Sequence, residues 1–165
     1  MRIKYLLTTR FNNDTWFQNE QYRNQVTSIK CVYGSPQSMA PKIYPRIPTC
    51  VIEMNNSNNQ ILGIGLIRNE PTPRYEYLPY SCGNYNRFVY VGNHRLNRED
   101  LPKELIDVLE HILFKEKTHM KRGAGFTTIP EKLLYHRTCE GRDLMREIVN
   151  LFVIKYKNCH NNQNT

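Results

Sequence analysis

Long apolar runs are missing from this chain of 165 residues. No stretch approaches the roughly 20 consecutive apolar residues that a membrane-spanning helix requires. The N-terminal segment MRIKYLLTTRFNND has an apolar core that is too short for a secretory signal peptide. We therefore expect a soluble, intracellular protein of the cytoplasm or nucleus, with no membrane partner.

Cysteine is sparse and irregularly spaced. The five cysteines are odd in number, and no two have the CxxC spacing of redox or zinc motifs. They are Cys31, Cys50, Cys82, Cys139 and Cys159. His136 and Cys139, with Cys159 and His160 twenty residues further on, match neither a zinc ribbon nor a zinc finger. The pattern favours a reduced interior and predicts no metal.

Signatures of catalysis are also missing. The chain has no GxSxG, no HxE with PCxxC, no HExxH and no P-loop. We therefore predict no catalytic residues and no cofactor. Glu53 and Glu70, near predicted strand ends, are the acidic residues outside obvious helix surfaces. A nuclease that uses such scattered acids stays an alternative.

Positive charge is plentiful. The formal net charge is +8 and the isoelectric point is about 9.3. Residues 1–86 hold nine Lys/Arg against five Asp/Glu, and residues 87–165 hold fourteen against ten, so no basic tail exists. Such a charge favours a polyanionic partner, RNA or DNA, because neutralising phosphates releases counterions. Asparagine-rich NNSNNQ and NNQNT are typical of AT-rich coding sequence, as in large DNA viruses, which adds a viral factory or virion as a location.

Strand patterns dominate the first 96 residues. Residues 3–11 and 26–34 are predicted strands, with a short helix over 15–26 between them. Four prolines in 35–48 exclude regular structure there and predict a long, semi-rigid loop. Residues 49–54 and 60–70 predict a hairpin with an asparagine-rich tip, and 87–96 predict a further strand.

Helical periodicity begins only after residue 97. Within 99–118, Leu105, Leu109, Ile112 and Leu113 fall on one face, and 141–157 predict a final, largely apolar helix. Strands first and helices later predict an α+β fold with a small, mostly antiparallel sheet or barrel and two main helices in the C-terminal half. Residues 1–158 would form a single domain, followed by a polar tail over 159–165.

Three segments resemble the PUA-like superfamily, which includes the EVE, YTH and ASCH domains. KYLLTTRF with the following TW is similar to the first strand and tryptophan of EVE-type domains. TCVIEMNNSNNQILGIGLIRNEP is similar to their hairpin, and KRGAGFTTIPEKLL with LMREIVNLF to their closing strand and helix. The resemblance implies a barrel-like sheet with a cleft for a nucleobase, often a modified one, and binding rather than catalysis.

Aromatic residues are the candidates for contact with a base. Trp16 is the first candidate for the aromatic ring on which a base stacks, because of its position in the resemblance. Phe17 and Tyr33 are further aromatic candidates for contact with the base. The alternative is that a lone tryptophan belongs to the core. The amide of Asn93 is a candidate to read a base edge, although asparagine is also a common turn former.

Cations and glycines are the candidates for contact with phosphate. Arg74 and Arg87 lie in or beside a tyrosine-rich connection, and Arg95 and Arg98 lie at the end of the strand over 87–96 and just past it. In HMKRGAGFTTIP, Lys121 and Arg122 precede two glycines, Gly123 and Gly125, whose backbone N–H groups would approach a phosphate. The alternative is that these glycines only permit a bend.

Three functions follow from these patterns. The first is a nucleic-acid-binding module that reads a modified or flipped base in an aromatic cleft flanked by basic loops. The second is a metal-dependent nuclease on a similar basic cleft. The third is a viral structural or interaction protein whose charge serves packaging.

Overall fold

The computed structural model describes the backbone of residues 3–161 and the side chains of residues 3–157. Within that range the strands are β1 (Tyr5–Phe11), β2 (Cys31–Ser35), β3 (Pro48–Asn55), β4 (Gln60–Arg68), β5 (Phe88–Gly92), β6 (His94–Asn97) and β7 (Thr127–Thr128). The α-helices are α1 (Asn13–Gln25), α2 (Lys103–Glu110), α3 (Glu131–Leu134) and α4 (Leu144–Asn161). The predicted α+β class is confirmed.

The main sheet is mixed. Its strand order is β6-β4-β3-β1-β7, and the central pair, β1 and β3, runs parallel from Tyr5 opposite Thr49 to Phe11 opposite Asn55. Strands β2 and β5 form a separate antiparallel pair. The prediction of a mostly antiparallel sheet or barrel is corrected accordingly, since the described residues form no closed barrel. Residues 12–47 act as one long crossover that returns the chain to the same end of the sheet, which parallel pairing requires.

The central strands are buried on both faces. Leu6 and Ile52 point into a core formed with α2 and α4, whereas Leu7 and Val51 point into a second core closed by the β2–β5 pair. Neighbouring residues of a strand face opposite sides of the sheet, so both sets are apolar. The helices of the C-terminal half therefore cover only one face.

The two main helices in the C-terminal half match the prediction in number but differ in extent. Helix α2 begins after Pro102 and gives way at His111 to a π-helical turn, His111–Lys115, so the predicted 99–118 helix is shorter and interrupted. Helix α4 begins at Leu144 and runs to Asn161, into the predicted tail. The rest of that tail, 162–165, lies outside the described residues.

The proline-rich segment is irregular, as predicted, but its side chains belong to the core. Met39 and Ile43 are buried between the sheets, and the backbone N–H of Met39 donates to the Tyr90 hydroxyl at 3.0 Å. The segment therefore closes the second core. None of the helices described is sufficiently long and apolar to cross a membrane.

Candidate functional site

A polar cleft of about 230 Å³ lies where β1 ends and α1 begins. One wall is the β1–α1 junction, residues 9–12 with Thr15, and the opposite wall is the glycine loop, which we define as residues 120–126. Gly34, Pro36, Asn56, Tyr80 and Tyr85 complete the lining. Segments far apart in the chain thus meet at this cleft, which we call the polar cleft.

Helix α1 starts at the cleft because of its cap. The Asn12 side chain accepts a hydrogen bond from the Thr15 N–H at 2.8 Å, and the Thr15 hydroxyl accepts from the Asn12 N–H at 3.0 Å. This reciprocal pair of hydrogen bonds satisfies two backbone N–H groups at the start of the helix. It also holds the β1–α1 junction in place as a rigid wall.

Arg10 is the centre of the glycine loop. All five N–H groups of its guanidinium are used, at donor–acceptor distances of 2.7 to 3.3 Å. They donate to the carbonyls of Met120, Gly123 and Gly125 and to the hydroxyls of Thr8 and Thr127. The loop therefore folds around one arginine.

The charge of Arg10 has no carboxylate partner among residues 3–157. Burial lowers the pKa of Arg10, because the charged form loses hydration. A guanidinium nevertheless keeps its proton at neutral pH. Carbonyl and hydroxyl oxygens solvate this charge without neutralising it, so the cleft carries a positive potential.

The two glycines of the loop are needed for its path. Gly123 has φ +106° and Gly125 has φ +69°, values that side chains disfavour. A Cβ on Gly125 would also lie 2.4 Å from the Ser35 hydroxyl. Their carbonyls face Arg10, whereas the N–H groups of 123–125 make no hydrogen bond within the described part of the chain. The glycines therefore permit a bend in the loop, and contact of their N–H groups with a phosphate stays a prediction.

The side-chain oxygen of Asn56 has no hydrogen-bond partner among the described residues. Its amide nitrogen donates to the Lys121 carbonyl at 2.7 Å, which assigns the orientation of the amide. Its amide oxygen is buried at the cleft and accepts no hydrogen bond from any described residue. An unsatisfied buried acceptor costs about 1–3 kcal/mol. A donor on a bound molecule would recover that free energy if the cleft wall moved to uncover this oxygen.

Two tyrosines form the aromatic part of the cleft. The ring of Tyr85 is 41% exposed, and it meets the buried ring of Tyr80 edge-on at 6.2 Å between centroids. The Tyr80 hydroxyl accepts from the Asn19 amide at 3.0 Å. The hydrogen bond from Asn19 therefore fixes the position of Tyr80, and the side chain of Tyr85 is exposed to solvent.

Trp16 lies behind the cleft rather than in its lining. Its ring meets Phe11 edge-on at 5.1 Å, and the guanidinium groups of Arg23 and Arg95 lie 5.1 and 5.3 Å from its centre. The ring is half-buried and lies outside the lining of the polar cleft, so its role as a stacking wall stays a prediction. Phe17, one residue on, is 59% exposed on the surface of α1.

Tyr33 and Arg95 belong to a buried polar network. Glu53, 1% exposed, accepts from the Tyr33 hydroxyl at 2.6 Å and from Arg95 at 2.5 to 3.1 Å. Burial alone would lower the pKa of Arg95, but the charge of Glu53 raises it. Neither Tyr33 nor Arg95 is accessible to a ligand, so both predicted contacts are corrected.

The other predicted contacts are dispersed. Arg98 pairs with Glu110 at 2.6 Å. Arg74 and Arg87 are exposed, each beside an aromatic ring of its own segment, at 5.0 and 5.9 Å. Asn93 is exposed at the rim of a second, larger groove. Of the predicted residues, the structure brings Gly123 and Gly125 to the polar cleft, with Lys121 and Arg122 directly before them.

The larger groove has a volume of about 670 Å³ and lies between the end of β4, the β5–β6 connection and α4. Its floor is apolar, with Leu66, Ile67 and Phe152, and its lining also includes the charged residues Arg68, Glu70 and Lys157. Tyr156 closes one side, where its hydroxyl bonds the backbone of Arg95 at 2.8 and 3.0 Å. The groove has room for a ligand, but its lining carries charges of both signs, whereas Arg10 is the charged residue that lines the polar cleft.

The acidic residues proposed for a nuclease are both engaged. Glu53 is enclosed by its arginine and tyrosine partners, so it has no vacant oxygen for a metal ion. Glu70 is exposed and pairs with Arg46 at 3.5 Å.

Comparison with protein-family models, with curated proteins and with solved structures found no match.

Arg10 and Asn56 are the cleft residues that sequence reasoning missed. The signal that could have identified Arg10 is its position as a single charged residue in the otherwise apolar and hydroxyl-bearing strand segment TTRF. Asn56 had no comparable signal, because it is one of several asparagines in NNSNNQ. Only its buried position separates it from its neighbours.

Proposed function

We propose that this protein binds nucleic acid, with one unpaired or flipped base in the polar cleft and neighbouring phosphates beside the glycine loop. The main support is that one cleft combines Arg10 and the Asn56 oxygen, which have no carboxylate and no hydrogen-bond partner respectively among the described residues, with the exposed Tyr85. The net charge of +8 favours the same class of partner.

Each group would serve a different part of a nucleotide. A base stacked on Tyr85 would gain about 1–3 kcal/mol. The Asn56 oxygen would accept a hydrogen bond from a base N–H, and the free N–H groups of 123–125 would donate to a phosphate. At about 230 Å³ the cleft suits a single base, so a duplex would have to expose one.

A PUA-like relationship is part of the same proposal. The mixed sheet departs from a closed barrel, yet the cleft lies beside the first strand, the following helix and the glycine segment that carry the resemblance. A modified base is the finer version of the hypothesis. It predicts tighter binding of an oligonucleotide with one modified base than of its unmodified counterpart.

Fluorescence anisotropy with labelled single- and double-stranded RNA and DNA, titrated with salt, tests the proposal. We expect affinity that falls with salt, and we expect Lys121→Glu with Arg122→Glu to weaken binding to every sequence. Loss of two phosphate contacts should make the slope of log K against log salt shallower by about 1.4 for a single strand. The matched control is Lys132→Glu with Arg137→Glu, an exposed pair of the same composition in the α3 region.

A second pair of variants separates the cleft from general charge. Tyr85→Ala should weaken single-stranded binding by about 5- to 150-fold, the equivalent of 1–3 kcal/mol of stacking. Tyr135→Ala removes a tyrosine that is 82% exposed outside the cleft and should change nothing. Equal losses in both variants would contradict the cleft, and absence of binding at low salt would contradict the function itself.

A further inference from the structure

Three side chains with metal-ligating atoms meet between the π-helical turn and the segment after α3, and none of them lines the polar cleft. Glu116 Oε1 lies 2.7 Å from His111 Nε2 and 3.2 Å from His136 Nε2. All three ligating atoms lie within 4.8 Å of one another, and the imidazole rings are 5.8 Å apart at a tilt of 33°. We call these residues the His–Glu–His cluster.

The π-helical turn brings the first two ligands together. In an α-helix, residues five apart are rotated by about 140° around the axis and face different directions. Here the Glu116 N–H donates to the His111 carbonyl at 3.2 Å, five residues back, in the π pattern. His111 and Glu116 therefore lie on one face, and π turns recur at functional sites.

The third ligand comes from the segment after α3. The His136 Nδ1 is held by Thr138, whose hydroxyl lies at 2.9 Å and whose backbone N–H donates at 3.2 Å. This contact directs Nε2 towards Glu116. A partner on the outer imidazole nitrogen is the usual arrangement around a metal-bound histidine. With Nε2 on the metal, Nδ1 carries the proton and donates to the Thr138 hydroxyl, so the hydrogen bond from the Thr138 N–H to Nδ1 is given up.

The spacing and the exposure suit a small divalent ion. Zinc bonds of about 2.0–2.1 Å in a tetrahedron place neighbouring ligand atoms roughly 3.3 Å apart, close to the separations in the cluster. The side chains of His111, Glu116 and His136 are 40%, 24% and 21% exposed, so a fourth position is open to water. Two imidazoles and one carboxylate are a ligand set of zinc sites with bound water.

We propose that His111, Glu116 and His136 bind one zinc ion, with water as the fourth ligand. The ion replaces the direct contacts of Glu116 with the two imidazoles and joins the π turn to the segment after α3. This site uses none of the residues of the polar cleft and is independent of nucleic-acid binding. Its failure would leave the proposed function untouched.

Isothermal titration calorimetry of chelator-treated protein with Zn²⁺ tests the site, and Co²⁺ provides a spectroscopic substitute. We expect one equivalent of zinc to bind and visible cobalt bands from nitrogen and oxygen ligands. His111→Gln, His136→Gln and the near-isosteric Glu116→Gln should each weaken binding by more than about 100-fold, beyond the loss typical of an outer partner. His94→Gln removes an exposed histidine from another part of the surface and should bind zinc normally.

Thiols are the main competing source of zinc binding in this chain. Cys159→Ser with His160→Ala should leave the stoichiometry and affinity unchanged, and the cobalt complex should show no intense thiolate charge-transfer band. Loss of binding in that double variant, a thiolate band in the unmodified protein, or no binding at all would each overturn the proposal. The cobalt spectrum decides the question even if a cluster variant fails to fold.

Discussion

Glu53→Gln removes the only negative charge of a buried network. The carboxylate is 1% exposed and the Arg95 side chain 7% exposed, and three hydrogen bonds join them at 2.5 to 3.1 Å. A glutamine would keep one acceptor oxygen but would turn an NH₂ group towards donors of Arg95 or Tyr33. The positive charge of Arg95 would then stay buried without its counterion.

The expected loss of stability is large. Breaking a buried ion pair by removing one partner costs about 3–5 kcal/mol, because the remaining charge is uncompensated. A chain of this size loses about 2–4 °C in melting temperature for each kcal/mol. The variant should therefore melt roughly 6 to 20 °C below the unmodified protein.

Urea unfolding, followed by circular dichroism and by the fluorescence of Trp16, measures this loss. Trp16 is the only tryptophan and its ring lies 5.3 Å from the Arg95 guanidinium, so its emission should report the network directly. Glu70→Gln is the control, because its partner Arg46 is exposed and surface pairs contribute about 0–1 kcal/mol. A loss below 1 kcal/mol in Glu53→Gln would refute the reasoning, as would a loss equal to that of the control.

Two further predictions concern the glycine loop and the thiols. Gly125→Ala should cost about 1–3 kcal/mol and weaken oligonucleotide binding, because its φ is +69° and the added Cβ would overlap a serine of β2. Gly83→Ala, where an added Cβ meets nothing within 4 Å, should leave binding unchanged. Burial raises the pKa of Cys31 and Cys50 to about 12, so both stay protonated and unreactive at pH 8. Iodoacetamide followed by peptide mass spectrometry should therefore label the exposed Cys82 before Cys31 and Cys50, and early labelling of Cys31 would contradict the burial.

Local patterns were sufficient for most of the secondary structure. Strand β1, helix α1 and the hairpin of β3 and β4 lie within a few residues of their predicted bounds, because apolar alternation and turn residues act over short distances. The 26–34 strand is shorter than predicted, and 87–96 divides into β5 and β6 at Asn93. Such interruptions depend on which neighbouring strand is available for pairing.

Pairing across the sheet could not be deduced in the same way. The parallel contact of β1 with β3 depends on the course of residues 12–47, and no local pattern in that segment specifies where it returns. The π turn at His111 likewise depends on packing, because α-helical periodicity continues through Ile112 and Leu113.

The sequence by itself determined the class of this protein: a basic, aromatic-rich α+β chain with strands before helices and a glycine loop at 123–125. Tertiary structure alone decided which charges are available. It placed Arg95 and Tyr33 in the core around Glu53, because a buried carboxylate requires partners, and it gave Arg10 no carboxylate partner among residues 3–157. It also joined His111, Glu116 and His136 over a separation of 25 residues, which no spacing rule for metal ligands anticipates.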